Sequence, residues 1–331
     1  MGKFFITGCS GSLGKRLSCA LLAKGNQVCG LDIIPPAEGL TQNPNFEFRK
    51  ADITDFEAVS KGMAGSDVGI HCAALLPQKD YLGLQAYLDT NAKGAENFLT
   101  ACLKNNIKKA VIISASGVLK PNRKGITFDS TEYRQSTNFY IKSKIEAEKL
   151  IDRLQVKEKI DYLILRPAAI YGIGMDYKWR EIFDLAQKNR LFVIYPGDQL
   201  YSIIHVDDFI DAILLSVTKL NKGISGEKIL ITSSDKLTIN DILLYISKYF
   251  SAKPPIKVPF FAAFAAAKIV YNFGKITKNG FLSSIHPENI LDYKSGLFFD
   301  SKKAFEFLGF ESKIKFEVEM PNILRNYKKV K

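Results

Sequence analysis

The chain has 331 residues, of which 47% are hydrophobic and 24% charged, and it carries a formal net charge of +12. This length and composition predict a folded protein with one large domain and a smaller lobe, and they exclude a mostly disordered chain. The basic residues are scattered, without a dense run of arginines and aromatic side chains. We therefore interpret the charge as a solvated basic surface and expect no nucleic-acid partner.

Cysteines, histidines and apolar runs set further limits. The five cysteines lie in or beside apolar runs without a CxxC pair, which predicts small buried side chains in a reducing compartment. The first apolar run begins near residue 4, so we expect no signal peptide and a cytoplasmic protein. The three histidines are far apart in the sequence, and we predict no metal site. The apolar stretch 260–273 is too short to span a membrane, and it predicts a core helix, a pocket wall or a peripheral membrane contact.

Short apolar runs alternate with helical patterns along the first half of the chain. The runs predict strands at 4–6, 28–32, 46–49, 68–71, 110–114 and 162–166. The patterns between them predict helices near 13–23, 56–63, 84–105 and 140–156. This alternation predicts a doubly wound α/β fold whose parallel sheet is covered by helices on both faces. Ligands of such folds bind beyond the carboxyl ends of the strands, so the residues that follow each strand are the candidates for a site.

The turn after the first predicted strand reads TGCSGSLG at 7–14. A strand, a glycine-rich turn and a helix start bring backbone N–H groups and the positive end of the helix to one point, which suits a pyrophosphate. We expect Gly8 to permit the tight turn, Gly11 the close approach of the phosphates, and Gly14 the packing of helix on strand. Asp32 ends the next apolar run, where a carboxylate accepts hydrogen bonds from an adenosine ribose. The segment therefore predicts dinucleotide binding.

Small or polar residues also follow the third and fourth predicted strands. Asp52 is placed to accept a hydrogen bond from an adenine amino group, whereas Thr54 or Asp55 is expected to cap the next helix. The segment HCAA at 71–74 has small residues that would let a cofactor lie against the backbone. We interpret His71 as a packed residue rather than as a catalytic base.

Hydroxyl and amine side chains follow the fifth predicted strand. Ser114 and Ser116 lie directly after it, where hydroxyls either cap a loop or polarise a substrate oxygen. Tyr140 and Lys144 are four residues apart on the next predicted helix, so they share one face. We expect Lys144 and the positive charge of a nicotinamide to lower the pKa of Tyr140 from its ordinary value near ~10. Tyr140 would then move a proton at neutral pH, the alternative being an exposed pair on an amphipathic helix.

The motifs occur in a characteristic order. They are TGCSGSLG at 7–14, Asp32, DITD at 52–55, HCAA at 71–74, Asn91 within YLDTNAKG, YIKSK at 140–144, LRPAAIYG at 165–172 and HVDD at 205–208. In these segments the chain resembles the extended short-chain dehydrogenase/reductase family, which includes nucleotide-sugar epimerases and dehydratases and 3β-hydroxysteroid dehydrogenases. The resemblance extends to about residue 235. We interpret the HVDD segment as the start of a helix together with its cap.

The resemblance implies a Rossmann-type domain that binds NAD or NADP across the sheet. We assign residues 1–167 and a return at about 203–233 to this domain, and 168–202 and 234–331 to a smaller α/β substrate-binding lobe. Tyr140 would be the catalytic acid/base, and Lys144 would hold the nicotinamide ribose and tune Tyr140. By analogy with the family, we expect a homodimer through the helices at 84–105 and 140–156.

The implied cofactor contacts share one edge of the predicted sheet. They are Gly8, Ser10, Gly11, Ser12, Leu13, Gly14, Asp32, Asp52, Ile53, Cys72, Ala73, Ala74, Asn91, Ser114, Tyr140, Lys144, Pro167 and Ala169. Asp32 resembles the family's NAD-selecting carboxylate, which repels a 2′-phosphate. Arg49 and Lys50 are not placed where the family binds that phosphate, so we predict NAD rather than NADP.

Two departures from the family bear on the substrate. Nucleotide-sugar enzymes usually carry an asparagine where this chain has Ala169, and an arginine that grips the diphosphate shortly before the HVDD-like segment. The corresponding stretch here, 197–204, has no arginine. The loss of both removes polar grips on a nucleotide diphosphate. LRPAAIYG instead resembles the hydroxysteroid and dihydroflavonol-reductase branch, and the apolar stretch 260–273 fits a lipophilic small-molecule substrate.

A third departure concerns the catalytic serine or threonine. The family usually places it three residues before the valine that matches Val118, and that position here is Ala115. Ser116, or with less support Ser114, would take the role after a small shift of the loop. Without either, the substrate carbonyl loses a hydrogen bond worth ~2.7–4 kcal/mol of transition-state stabilisation.

Together these features predict an NAD-dependent oxidoreductase that transfers a hydride at a secondary alcohol or ketone carbon of a lipid-like or polycyclic 3-hydroxy/3-keto substrate. The rival within the fold is a nucleotide-sugar 4-epimerase or 4,6-dehydratase. A rival of another class is a non-catalytic protein that senses the cofactor. Ala115 keeps that rival open, whereas Tyr140 and Lys144 oppose it because a sensor needs neither.

Overall fold

The structure is a computed structural model, and it describes residues 2–122, 126–129, 132–154, 159–175, 178–221 and 223–330. The strands are β1 Lys3–Thr7, β2 Gln27–Asp32, β3 Phe46–Lys50, β4 Val68–His71, β5 Lys109–Ile113, β6 Asp161–Pro167, β7 Ala169–Tyr171, β8 Phe192–Ile194, β9 Ile203–His205, β10 Lys228–Ile231 and β11 Ile256–Val258. Short 3₁₀ turns lie at Pro77–Leu82 and Ser116–Val118, and a π-helical turn lies at Leu88–Lys93.

The α-helices cover the sheet and build most of the C-terminal half. They are α1 Ser12–Ala23, α2 Glu38–Thr41, α3 Phe56–Met63, α4 Gly83–Tyr87, α5 Gly94–Lys104, α6 Phe139–Arg153, α7 Trp179–Gln187, α8 Val206–Lys219, α9 Ile239–Tyr249, α10 Phe260–Ile276, α11 Gly280–Ser283, α12 Pro287–Ser295, α13 Lys302–Leu308 and α14 Phe316–Val330.

The central sheet confirms the doubly wound α/β fold. Within the described residues its strand order is β10-β6-β5-β4-β1-β2-β3, and every pairing in it is parallel. The chain runs from β1 outward to β3 and then returns through β4 toward the other edge. The connections after β1 and β4 therefore leave the sheet in opposite directions, which opens a crevice beyond their carboxyl ends, where Thr7 pairs with His71.

Alternating side chains of the strands fill the two faces of this sheet. Phe4 and Ile6 of β1 face α1 and α8, in a core with Leu17 and Phe209. Phe5 faces the opposite core, which α3, α5 and α6 complete. Both faces are apolar because successive strand residues point to opposite sides and both sides are covered.

The helix predicted at 84–105 is interrupted in the structure. Its middle turn, Leu88–Lys93, has the wider π spacing, and the helix on either side has ordinary α geometry. Asn91 lies in this turn and is fully buried. Single π turns of this kind often occur at functional sites. The helix predicted at 140–156 is α6, and Val156 lies outside the described residues.

The cysteine prediction holds for most positions and is wrong for one. All five cysteines are free, and Cys9, Cys29 and Cys102 are buried. Cys19 is exposed, because α1 turns Leu17, Ser18 and Leu21 toward the sheet and leaves position 19 on the outer side.

The C-terminal half packs against the sheet through specific ion pairs and caps. His205 caps α8 by accepting a hydrogen bond from the backbone N–H of Asp207, as the HVDD segment predicts. Asp207 pairs with Arg16 of α1, with 2.5 Å between Arg16 Nε and Asp207 Oδ1. Asp208 accepts hydrogen bonds from the backbone N–H groups of Lys313 and Ile314. The boundaries between cofactor domain and substrate lobe stay a prediction. Among the described residues, no helix is long and apolar enough to cross a membrane.

Candidate active site

The glycine-rich turn lies at the mouth of the crevice between β1 and β4. Gly8 has a φ of +72°, which favours glycine, and a Cβ there would lie 2.7 Å from the backbone nitrogen of Ala73. A Cβ on Gly14 would lie 2.1 Å from the carbonyl oxygen of Gly8. Gly14 therefore allows α1 to begin directly against the end of β1, as predicted from its position in the sequence.

The start of α1 fits a bound anion. Gly11 is the N-cap and supplies no side-chain acceptor. In the described part of the chain, the backbone N–H groups of Ser12, Leu13 and Gly14 donate no hydrogen bond, and the first turn carries no acidic residue. Such a helix start attracts negative charge through its free donors and its dipole. These residues fit the pyrophosphate of a dinucleotide.

Asp32 ends β2 and lies beside this turn. Its Oδ2 accepts a hydrogen bond of 3.0 Å from the backbone N–H of Ser10, and its Oδ1 accepts one from Ile34. Ser10 in turn donates its hydroxyl to the carbonyl of Ile34. The carboxylate is thus fixed next to the glycine turn, with Lys50 of β3 directly across from it in the sheet.

The DITD segment divides between a loop and a helix cap. Asp55 caps α3 by accepting from the N–H of Ala58, which confirms one of the two predicted caps. Asp52 is exposed at the strand end, and its Oδ1 accepts from both the N–H and the hydroxyl of Thr54. The side chain of Ile53 instead points into the core, where Gly94 leaves room for it.

The HCAA segment forms the other wall of the crevice. Cys72, Ala73 and Ala74 are half-buried, and the N–H of Ala73 donates to the hydroxyl of Thr7. His71 is buried, its Nδ1 lies 2.8 Å from Thr7 Oγ1, and its ring stacks on Phe98. Burial lowers the pKa of His71 to about 3. His71 is therefore a packed, neutral residue, as predicted.

Tyr140 and Lys144 lie on the first turns of α6. Asn138 caps this helix by accepting from the N–H of Ile141, which fixes where the helix begins. Lys144 is 4% exposed, and its Nζ donates a 2.9 Å hydrogen bond to the carbonyl of Ile113, the last residue of β5. The ammonium lies 6.0 Å from the centre of the Tyr140 ring. The two side chains therefore share one face at the carboxyl edge of the sheet.

The protein alone does not show the expected lowering of the Tyr140 pKa, which was predicted for Lys144 together with the positive charge of a nicotinamide. Burial raises the pKa of Tyr140 to about 12, and burial lowers the pKa of Lys144 to about 8. The Lys144 ammonium is bound to the Ile113 carbonyl and does not contact the phenol oxygen, so desolvation dominates at Tyr140. The phenol is accordingly protonated at neutral pH, a state in which it donates a hydrogen bond or a proton.

The two candidate serines have different surroundings. Ser114 donates a 2.5 Å hydrogen bond to Oε1 of the buried Glu148. Ser116 begins the turn after β5, and among the described residues its hydroxyl has no hydrogen-bond partner. This turn packs on α6, since a Cβ on Gly117 would lie 2.8 Å from Cδ1 of Ile141, the neighbour of Tyr140.

Asn91 connects the walls of the site. Its Oδ1 accepts from the N–H of Leu75 at 2.7 Å, and its Nδ2 donates to Ser143 Oγ at 2.9 Å. Ser143 donates onward to the carbonyl of Tyr140. These bonds tie the loop after β4 to the helix that carries Tyr140 and Lys144.

Sequence reasoning missed the buried ion pair between Arg166 and Glu148. Two hydrogen bonds join them, from Arg166 Nε at 3.0 Å and from Nη2 at 2.6 Å, and Tyr133 donates to the same carboxylate. Burial raises the pKa of Glu148, but the hydrogen bonds and charge of Arg166 outweigh it, and the pKa lies below its usual range. One sequence signal was available: Glu148 lies four residues after Lys144 on α6, so the two side chains are on the same face of the helix. Pro167 and the half-buried Ala169 follow Arg166 at the end of β6 and the start of β7.

A second ion-pair cluster lies where the C-terminal half faces α6. Arg134 pairs with Asp292 at 2.8 Å and lies near Glu288, which accepts from Ser136 and Thr137. These bonds join α12 to the loop that precedes Tyr140. The two carboxylates neutralise the charge of Arg134. The sequence analysis did not predict this cluster.

Comparison with known proteins identifies the family. Residues 4–232 match the model of the NAD dependent epimerase/dehydratase family. The chain belongs to this family of enzymes, within the extended short-chain dehydrogenases/reductases.

Relatives and solved structures agree with this assignment. The chain is 26% identical to short-chain dehydrogenase/reductase family 42E member 1 of Danio rerio, over 94% of this chain and 85% of that protein. It is also 26% identical to a 3-beta-hydroxysteroid dehydrogenase of Mycolicibacterium neoaurum, over 56% of this chain and 52% of that protein. The fold matches that of a UDP-glucose 4-epimerase from Thermotoga maritima, with a TM-score of 0.78, 19% identity and 99% of each chain covered.

Proposed function

We propose that the chain is an NAD-dependent oxidoreductase that acts on a secondary alcohol or ketone of an apolar, lipid-like or polycyclic substrate. The observation that carries the proposal is the arrangement on α6, where Tyr140 and the anchored Lys144 share one face at the carboxyl edge of the sheet. The cofactor would be held by the free N–H groups of α1 and by Asp32. When bound, it supplies the acceptor or donor of the hydride.

In this mechanism Tyr140 Oη gives a proton to a ketone oxygen, or takes it back from the alcohol. The protonated phenol of the resting protein suits donation to a ketone. Ser116 Oγ, which is free to bond, holds the same oxygen, while Ser114 stays with Glu148. Lys144 keeps its charge near the phenol through its bond to Ile113, and Asn91 positions α6.

Two observations support an apolar substrate over a nucleotide-linked sugar. Arg134, the arginine closest in sequence to Tyr140, is already neutralised by Asp292 and Glu288, so it offers little to a diphosphate. In addition, a 3-beta-hydroxysteroid dehydrogenase is among the relatives. A cytoplasmic location and a homodimer stay predictions.

The first test measures turnover with NADH and ketones. We expect reduction of a 3-keto steroid or a prenylated ketone, and a fall of roughly 100- to 10,000-fold in kcat for Tyr140→Phe. Tyr195→Phe is the matched control, because Tyr195 is exposed in the C-terminal half. Turnover of UDP-glucose or dTDP-glucose instead would make the epimerase or dehydratase the function. Cofactor binding without any turnover would favour the sensor.

Cofactor choice is tested separately. We expect wild-type protein to prefer NADH to NADPH, because the fixed Asp32 carboxylate repels a 2′-phosphate. Asp32→Ala should lower the ratio of kcat/KM for NADH over NADPH by at least about tenfold, or ~1.4 kcal/mol. A mere loss of folded protein leaves this ratio unchanged. A wild-type preference for NADPH would contradict the assignment and point to Lys50 across from Asp32.

A further inference from the structure

Helix α10 turns four of its large apolar side chains away from the protein. Phe261, Ile269, Phe273 and Ile276 are 81%, 72%, 56% and 81% exposed. At 100° per residue these positions fall within about 140° of the helix circumference, together with Ala262, Ala265, Ala266 and Asn272. We call this set of residues the α10 stripe. Asn272 is the only polar residue in it.

The inner face of α10 combines three small residues with one tyrosine. Ala263, Ala267, Gly274 and Tyr271 are buried, and a Cβ on Gly274 would lie 2.3 Å from the backbone nitrogen of Ser283. Helix α11 therefore packs too closely on α10 for a large side chain to fit there. An ordinary surface helix turns most of its large apolar side chains inward, so α10 departs from that distribution, and the stripe is larger than the scattered apolar side chains of a typical surface.

The sequence segment that contains the stripe is strongly basic. From 242 to 287 the chain contains six lysines and no aspartate or glutamate. Lys268 lies at one margin of the stripe, with its ammonium 4.8 Å from the centre of the Phe264 ring. Lys253, Lys257 and Lys278 are exposed before and after the helix. A stripe of this length, about 22 Å, bordered by lysines fits a helix lying in the plane of an anionic bilayer surface.

The stripe ends beside the candidate active site. Lys275, on the last turn of α10, lies 4.8 Å from the centre of the Phe139 ring, and Phe139 precedes Tyr140 on α6. The turn Pro77–Leu82 packs on the same end, where Tyr271 donates to the buried Asp80. Leu76 and Leu82 continue the exposed apolar surface there. A second copy of the chain is a poorer occupant, because pairing two stripes around a twofold axis brings the two sets of lysines together.

We propose that the α10 stripe and its lysines seat the protein on anionic membranes, with the active-site end of α10 against the lipid. In this position a lipid-soluble substrate reaches Tyr140 from the bilayer. This last step rests on the proposed function, whereas membrane binding does not.

The experiment is flotation of the full chain with phosphatidylcholine vesicles, with and without phosphatidylglycerol. We expect binding only to the anionic vesicles, weakened by salt. Ile269→Ser with Ile276→Ser should reduce the partition coefficient by about 100-fold, since burying each such side chain is worth roughly tenfold or more. Lys268→Gln with Lys278→Gln should reduce it roughly 25-fold.

The control is Phe305→Ser, which replaces another exposed apolar side chain, 55% exposed, on α13. It should bind vesicles as the wild-type protein does. Absence of wild-type binding to anionic vesicles overturns the proposal, and so does binding that the α10 variants do not change. Sedimentation that shows a dimer broken by the isoleucine variants would identify a second copy as the occupant.

A failure of the proposed function is distinguishable from a failure of this proposal. The flotation assay needs neither cofactor nor turnover. With a short, water-soluble ketone, the isoleucine variants should keep wild-type kcat and KM, because the exposed stripe is outside the hydrogen bonds around Tyr140 and Lys144. With a vesicle-borne ketone, they should lose activity in parallel with binding. Loss of turnover on both substrates would show damage to the fold or site and would overturn the assignment of α10 to membrane seating alone.

Discussion

Surface helices usually bury apolar side chains and expose charged ones. Helices α6 and α10 depart from this distribution in opposite ways. Helix α6 buries ionisable side chains, Lys144 and Glu148, and each has a partner: the Ile113 carbonyl for the lysine and Arg166 for the glutamate. Helix α10 exposes Phe261 and Ile276 and, among the described residues, has no protein element that covers them. Buried charge is tolerated where the fold itself supplies the compensating groups. Exposed apolar surface is explained where something outside the fold covers it.

The largest expected effect comes from breaking the buried charge on α6. Glu148→Ala leaves Arg166 buried without its carboxylate, and we expect a loss of about 3–5 kcal/mol in the free energy of unfolding. Urea titration measures this loss. Glu146→Ala removes an exposed ion pair with Arg153 on the same helix and should cost at most ~1 kcal/mol. Equal losses in the two variants would show that the buried pair is not specially stabilising.

Substitutions of the two serines next to α6 should affect different properties, catalysis for Ser116 and stability for Ser114. Ser116→Ala should lower kcat by the equivalent of ~2.7–4 kcal/mol, because it removes a donor to the substrate oxygen, with little change in unfolding. Ser114→Ala should instead lower stability by about 1–3 kcal/mol, because Glu148 loses a buried hydrogen bond. Steady-state kinetics and urea titration of both variants provide the comparison. The reverse outcome would make Ser114 the substrate-binding serine.

The buried, neutral His71 should make the free energy of unfolding depend on pH, which is a smaller effect. Burial and the charge of Lys144 hold the pKa of His71 at about 3, below the ordinary ~6.5 of the unfolded chain. Between these values the unfolded chain binds more protons, so stability falls as the pH falls below about 6.5. From pH 6.5 to 5 the loss should be about 1.6 kcal/mol. His71→Gln should lose correspondingly less over the same range, and an identical acid profile in the variant would exclude His71 as its source.

The smallest effect is expected on the exposed side of α10. Phe261→Ala should change the free energy of unfolding by no more than about 0.5 kcal/mol, because the side chain contacts mainly solvent. Phe316→Ala, at a fully buried phenylalanine of α14, should cost about 3–5 kcal/mol. Comparable losses would show that Phe261 packs against the protein in solution, which would weaken the contrast between the two helices.

Local sequence patterns were enough to predict the backbone elements that carry the candidate active site. The glycines at 8, 11 and 14 predicted the turn, and short apolar runs predicted the strands of the sheet up to β6. The spacing of Tyr140 and Lys144 predicted a shared helix face. These features depend on residues that are near one another in the chain, so backbone geometry alone relates them. The same reasoning predicted a cap at Thr54 or Asp55 and another in the HVDD segment, and in the structure Asp55 and His205 are the caps.

Contacts between distant segments decided the rest. The sequence left Ser114 and Ser116 as alternatives, and the structure engages Ser114 because Glu148 is buried beside it. The π turn at Asn91 depends on the loop at Leu75, and the raised pKa of Tyr140 depends on how deeply the assembled fold desolvates it. The exposure of the apolar α10 depends on its close contact with α11 through Gly274, which no local pattern reports. Local geometry is determined by adjacent residues, whereas burial, pairing and desolvation exist only once remote segments have packed together.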